Sequence, residues 1–480
     1  MIQDIENLIG FAIEKNLIKE QDYHFVKNRL CYMLKADNSL SAKPIRIIYP
    51  SQSLDNLIHE VTLQRPLTLL EAERLRDSVM NIFVPLPSII NERFYEHYRK
   101  NVEDAIRYFY DLSLNAYYIK KDRIDKNISY ISRGPRKLII TVNLSKPEKD
   151  PRDIRAAATH NVDFPKCALC VENEGFQGND KYDSRINHRL IEIPINGKPY
   201  YFHYSPYSYY NEHCIVLSKE HKPMLINHET FTNLLQLLDF FGGNYFFGSN
   251  ADIPIVGGSI LNHDHYQGGR FHFPIEDADV LYDKKIGDVS FEVLDWPLST
   301  IRLRSRNKAA LVKYCDLILS NWINYENPEK NIIKMTHNER HNAITPISRK
   351  KGEEYEFDLV LRNNRTDSKY ELGIFHPHPD VWPIKKENIG LIEVMGLAIL
   401  PKRLVSEEKD IWEYSLRKGP ETEAVKKHKS WFKNVKFTNE TELHQGMRDA
   451  VAELFEKGLN DCKVLDTDSL IEFLEGVINV

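Results

Sequence analysis

Apolar positions near the start of the chain recur every three to four residues. Ile2, Ile5, Ile9 and Ile13 fall on one helical face, and Val102, Ala105, Ile106 and Phe109 form a second stripe, followed by Tyr117, Tyr118 and Ile119. Residues 1–130 are therefore expected to form a helical N-terminal extension. Past Arg133-Gly134-Pro135 the texture changes. Residues 138–142 and 189–195 read as strands, and Asn196-Gly197 ahead of the 200–204 run predicts a tight hairpin. Residues 214–218 predict another strand. Phe231, Leu234, Leu235 and Leu238 give a helix stopped by Gly242-Gly243, and residues 245–247 a further strand. Beyond residue 275 the order partly recurs. Strands are expected at 357–361 and 371–375, joined by a polar turn at Asn363-Asn364, then a helix over 391–400 ending at Pro401. Met447, Val451, Leu454 and Phe455 mark a last amphipathic helix. The predicted fold class is α+β. Two halves, 131–275 and 276–480, each carry an antiparallel sheet flanked by helices, and the helical extension precedes them.

Composition narrows the function classes. The 480 residues are 42% hydrophobic and 28% charged, ordinary for a globular chain, and 25 Tyr with 22 Phe supply a core. A net charge of −5 gives no footing for nucleic acid or a membrane surface as the main partner. The sequence has neither a membrane-spanning apolar run nor a signal peptide, so the expected location is the cytoplasm. Six cysteines are too few for a disulfide scaffold. Only Cys167 and Cys170 have informative spacing. Cys-x-x-Cys is half of a zinc site, and the βαβ pattern expected beside a redox pair is missing. With no second pair, the remaining ligands must be distant histidines.

The richest stretch is Gly257-Gly258-Ser259-Ile260-Leu261-Asn262-His263-Asp264-His265-Tyr266-Gln267-Gly268-Gly269. β-favouring residues flank it, so it is expected to be extended. His263, His265 and Gln267 would then share one side, with Asp264 and Tyr266 on the other. Glycine pairs let a ligand or another backbone come close. Two imidazoles and an amide between such pairs point to a polar, phosphorylated ligand. Lys120-Lys121-Asp122-Arg123 and the 143–151 loop, with Lys146 and Lys149, read as solvated charge ahead of phosphate contacts. His376-Pro377-His378 lacks the glycine and glutamine context and reads as a rim or structural element.

This motif resembles the signature of the hexose-1-phosphate uridylyltransferases, of the second type found in Firmicutes, within the histidine-triad superfamily. Residues 142–151, Cys167 to Cys170 with Glu172-Asn173-Glu174-Gly175, Asn211-Glu212-His213 and residues 386–396 are similar to that family too. The resemblance implies two histidine-triad-like halves and a ping-pong exchange. UMP passes from UDP-glucose to an enzyme histidine, then to galactose 1-phosphate. His265 matches the nucleophile and Gln267 the glutamine that holds the transferred group. Cys167, Cys170, His221 and His263 match the ligands of a structural zinc. Asn250, Gly257, Gly258 and Ser259 fall to substrate binding. Lys386, Asn388 and Glu393 fall to the hexose phosphate, with Glu393 as sugar-hydroxyl acceptor. Asp264 and Tyr266 depart from the first type, which has Pro and Gly there. A homodimer is expected by the same resemblance. Two other classes stay open: a nucleotide hydrolase of the superfamily, and a zinc-stabilised binding module.

Overall fold

The computed structural model describes residues 1–144, 164–179 and 182–479. The leading stripes become helices α1 (Ile2–Glu14), α2 (Tyr23–Leu34), α3 (Ser51–Gln64), α4 (Leu69–Asn81), α5 (Pro87–Tyr98), α6 (Val102–Asn115) and α7 (Lys121–Ile124). Ile5, Ile9, Ala105, Ile106 and Phe109 are buried, as their spacing predicts. Thr68 caps α4 through a reciprocal exchange with Glu71: each side chain accepts from the other's backbone N–H. Strands β1 (Ile128–Ile131) and β2 (Ile139–Asn143) follow, then β3 (Ile191–Ile195), β4 (Lys198–Tyr204) and β5 (Cys214–Ser218). Next come α8 (His228–Phe240), β6 (Phe246–Gly248), β7 (His265–Gly269), β8 (Val280–Ile286), β9 (Val289–Leu294) and β10 (Thr300–Ser305). The chain continues through α9 (Lys308–Asn324), β11 (Met335–Thr336), β12 (Glu339–Arg340), β13 (Asn342–Lys351) and β14 (Glu354–Asn363). It ends with α10 (Leu391–Val394), β15 (Leu397–Pro401), α11 (Arg403–Ser415), α12 (Glu423–Phe432), α13 (Glu440–Asp461) and α14 (Thr467–Ile478). The class is α+β with antiparallel sheets, as expected. Among the described residues, no helix is long and apolar enough to cross a membrane.

The chain divides into two compact units. The first takes Met1–Lys126, Ser145–Ser208 and Glu212–His221. Here β3, β4 and β5 form an antiparallel meander. Ile195 pairs with Lys198 across Asn196 and Gly197, whose φ angles of 48° and 72° make the predicted tight turn. The β3 edge is covered by α5. Asn91 brackets Leu190 O and Glu192 N, and the Tyr95 hydroxyl donates to Glu192 O. Within the basic run at 120–123, Lys121 is exposed as expected, but Lys120 and Arg123 are not. Lys120 lies 3.0 Å from both Glu73 and Asp77, and Arg123 lies 2.8 Å from Glu73. These acids sit on α4, four residues apart, so one helical face gathers both cations.

The second unit takes Asn127–Leu144, Tyr209–Asn211 and Lys222–Val480. Its main sheet runs β7-β6-β13-β14-β10-β9-β8, all antiparallel. Apart from the short β11–β12 ladder inserted after α9, the order β8–β10, α9, β13, β14 repeats that of β3–β5, α8, β6, β7. Opposite charges face each other across its central strands. Arg302 donates to Asp358 at 2.6 Å, Arg349 to Asp358 at 2.7 Å, and Arg349 also to Glu356. A smaller sheet pairs β1 with β2 antiparallel and β15 with β2 in parallel. The core below it includes Trp296, Leu391, Leu397, Val451 and Phe455.

Three expectations fail here. Residues 391–400 are not one helix: α10 lasts a single turn, Gly396 turns left-handed at φ 98°, and β15 follows. A Cβ at Gly396 would lie 2.9 Å from Pro274 and 3.0 Å from Trp296, so the break is built into the packing. Residues 371–375 form turns, with Gly373 at φ 123°, and the hairpin partner of β14 is β13 instead. The 257–269 stretch is strand only from His265 onward; 257–264 is irregular. The loop lysines Lys146 and Lys149 lie outside the described residues.

Candidate functional site

β7 carries His265 and Gln267 at alternate positions, so both point to one face, while Tyr266 points to the other. Tyr266 is anchored there: Asn233 of α8 donates to its hydroxyl at 2.9 Å. The neighbouring glycine is a packing requirement. Gly268 pairs with Phe247 on β6, and a Cβ there would sit 2.4 Å from the Phe247 ring. The Tyr210 hydroxyl donates to Gly268 O.

His265 is 6% exposed. Its Nδ1 lies 2.8 Å from the His263 carbonyl oxygen. A carbonyl only accepts, so Nδ1 carries the proton and Nε2 keeps its lone pair. Burial lowers the His265 pKa to about 4, against the opposing pull of that hydrogen bond. The imidazole is thus neutral at physiological pH. His263 lies in the irregular approach to β7 and is buried. Asp264 is pinned by its backbone: its N–H donates to Lys222 O at 2.7 Å.

The approach to β7 is folded back on itself. Gly257 bridges to Ala251, and a Cβ at Gly257 would lie 2.5 Å from Ala251 O and 2.6 Å from Ile253 O. A Cβ at Gly258 would lie 2.7 Å from Asn250 Nδ2. Here the glycines admit the chain's own backbone and the Asn250 amide. Asn250 Oδ1 accepts the Leu391 N–H at 2.9 Å, tying the end of β6 to the first turn of α10. Asn388 Nδ2 reaches Gly257 O at 3.5 Å. Glu393 is buried and doubly held: Oε1 accepts from Lys385 at 2.7 Å and Oε2 from Gly390 N at 3.0 Å. Asn250, Gly257, Gly258, Asn388 and Glu393 therefore form one connected group. Ser259 and Lys386 are exposed, and the Lys386 ammonium sits 4.9 Å over the Trp382 ring. Lys385, the buried neighbour, was not singled out by sequence; adjacent lysines give no signal as to which one turns inward. His378 is structural: its ring stacks on Tyr370 at 4.2 Å and Nε2 donates to Ile374 O. His376 is buried, with Nδ1 donating to Pro377 O.

Among the described residues of the first unit, Cys167, Cys170 and His221 bring together soft donors that could hold a metal ion. In the first unit the Cys167 and Cys170 sulfurs are 3.4 Å apart, and His221 Nδ1 lies 3.0 Å from Cys170 Sγ and 3.8 Å from Cys167 Sγ. Tetrahedral zinc with bonds of about 2.0–2.3 Å places its ligand atoms roughly 3.3–3.8 Å apart; the sulfur pair and the His221–Cys167 separation match this, and His221 would need to draw back slightly from Cys170. Asn173 tightens the knuckle by donating to Cys167 O and Cys170 O. Burial, then the adjacent Cys167 thiol, pushes the Cys170 thiol up. A cation shared by both sulfurs reverses that cost.

The family model for the N-terminal domain of galactose-1-phosphate uridyl transferase matches residues 18–223, and that for the C-terminal domain matches residues 240–433. The galactose-1-phosphate uridylyltransferase of Clostridium perfringens is 42% identical, over 98% of this chain and 97% of its own. That of Clostridium acetobutylicum is 45% identical, over 90% and 89%. That of Lactococcus lactis subsp. cremoris is 42% identical, over 96% and 95%. Two domain matches in order, together with such relatives over nearly the full length, settle the kinship: this chain belongs to the galactose-1-phosphate uridyl transferase family.

Proposed function

We propose that the chain moves UMP from UDP-glucose to galactose 1-phosphate through a uridylylated His265. The observation that carries the reading is the hydrogen bond from His265 Nδ1 to the His263 carbonyl. It leaves a neutral imidazole with a lone pair on Nε2, so the attack needs no separate base. Nε2 bonds to the α-phosphorus as the bond from phosphorus to the departing glucose 1-phosphate oxygen breaks. The imidazole becomes a cation whose remaining proton stays on Nδ1, held by the same carbonyl. A phosphate oxygen of galactose 1-phosphate then attacks phosphorus, the N–P bond breaks, and neutral His265 returns. Gln267, two residues along the same strand face, offers an amide N–H to a non-bridging oxygen and cannot take a proton. Positioning and charge stabilisation make up most of such catalysis.

Asn250, Gly257, Gly258 and Ser259 serve the nucleotide in this reading, and Lys386, Asn388 and Glu393 the hexose phosphate. Residues 131–275 act as the half bearing the nucleophile, 276–480 as the half for the sugar phosphate, and 1–130 as an extension. Cys167, Cys170, His221 and His263 hold zinc; four ligands close the site, so the ion stiffens the approach to His265 and takes no part in bond making. The working form is a cytoplasmic homodimer.

The test is covalent labelling. UDP-glucose labelled in the α-phosphate, given without acceptor, is expected to leave acid-labile label on the parent protein and none on His265→Ala. Glucose 1-phosphate is released one for one. Exchange without label on the parent protein rules out the covalent route, and steady UDP-glucose breakdown without acceptor favours a hydrolase.

A further inference from the structure

Pro254, Ile255 and Val256 make an unusual turn. The Val256 N–H donates to Pro254 O at 2.8 Å, and Ile255 between them has φ 72°. This is a γ-turn, rare with positive φ, and a β-branched residue is the worst suited to it. Such a conformation persists only when its surroundings enforce it, and it clusters where function needs fixed geometry. The enforcing contacts are present. Ile255 packs against a buried cluster of Ala251, Ile253, Val256 and Ala343. Its Cγ2 approaches Gly373, where a Cβ would lie 3.0 Å from it and 3.0 Å from His376 Cβ. Gly373 itself sits at φ 123°, a conformation that L side chains rarely adopt. From across the site Asn388 Nδ2 reaches Gly257 O at 3.5 Å. The glycine pair is thus held from both sides: through Ile255 in the chain before it and through Asn388 from across the site.

We infer that Ile255 is a positioning residue: its γ-methyl locks the 250–258 loop against the Gly373–His376 turn and so presets Gly257-Gly258 for the nucleotide's phosphates. This rests on the uridylyl-transfer reading, since it supposes that the glycine pair meets UDP. Ile255→Gly separates the two roles of this position. Glycine accepts φ 72° without strain, so the backbone turn survives while the latch is lost. Ile255→Val keeps the γ-methyl. Gly373→Ala attacks the latch from the other side.

The experiment is calorimetric titration of the full chain with UDP, beside steady-state kinetics and thermal unfolding. If losing the latch leaves the competent loop about one-tenth populated, Kd for UDP rises about tenfold in Ile255→Gly. KM for UDP-glucose is expected to rise with it, KM for galactose 1-phosphate to stay put, and Ile255→Val to restore parental binding. Gly373→Ala should weaken UDP in the same direction. A parent that binds UDP and an Ile255→Gly variant that binds it equally well overturn the inference while leaving the transfer reading intact. A parent that binds no UDP removes both.

Discussion

Replacing Asn250 separates two tasks of one amide. Its Oδ1 accepts the buried Leu391 N–H at 2.9 Å, while its Nδ2 is turned toward Gly258. In Asn250→Ala the Leu391 donor loses its acceptor at the start of α10. A buried donor left unmade costs about 1–3 kcal/mol, and we take about 2 kcal/mol as the centre. For domains of a few hundred residues that corresponds to a fall in Tm of roughly 4–8 °C. Asn250→Asp keeps an acceptor for Leu391 but replaces the amide N–H₂ beside Gly258 with an oxygen. Its expected stability is near that of the parent, while exchange activity falls as far as in the alanine variant. Differential scanning fluorimetry and the UDP-glucose exchange assay read the two effects separately. The reasoning is refuted if Asn250→Ala melts with the parent. It is refuted equally if Asn250→Asp is as unstable as the alanine variant, because the Oδ1 bond would then not be the stabilising contact.

Cys170→Ser is expected to lower bound zinc from about one per chain to near zero, read by elemental analysis of the purified protein; an unchanged content removes Cys170 as a ligand. For Glu73, burial alone would raise the carboxyl, yet Lys120, then Arg123, outweigh it and hold the pKa down to about 2. Asp77, buried in the same cluster, is pushed the other way by lost solvation. Because the folded Glu73 pKa is below its ordinary 4.5, its contribution is fully present above 4.5 and is lost as pH falls toward 2. With the side chain 27% exposed, we discount that contribution to about 2 kcal/mol. The stability gap between parent and Glu73→Gln in urea should therefore narrow between pH 6 and pH 3; a gap that stays constant contradicts the assignment.

Local signals in the sequence translated well where one residue type answers one backbone need. Asn196-Gly197 both take positive φ in the hairpin, and the His265/Gln267 alternation falls on a true strand. Signals that depend on neighbours far along the chain did not. Leu391, Val394, Met395 and Ala398 fit a helical stripe as well as anything nearby, and only the fit of Gly396 under Pro274 and Trp296 decides for a break. β13 gives no alternating pattern because it is buried from Asn342 to Arg349, polar positions and the Arg349 charge included. The Arg349 and Asp358 pairing that permits this belongs to two strands, not to either alone. In the candidate site the Cys167/Cys170 pair and the His263, His265 and Gln267 pattern stand out by spacing, whereas His221, Lys386, Asn388 and Glu393 enter only through the family resemblance. Ile255, Gly373 and Lys385 do not stand out, because their contacts are with residues far along the chain or are chosen between adjacent lysines, which no local pattern records.

The parallel pairing of β15 with β2 sets a timetable for the ribosome. Ile139 finds Leu397 only after roughly 260 further residues have emerged, about 13–50 s at ordinary translation rates. β1 can shield one side of β2 early, but the other side, with Ile140 and Val142 beside it, waits for the far end of the second unit. Misassembly should therefore concentrate in nascent chains, and truncation between residues 143 and 397 strands an open, apolar β-edge.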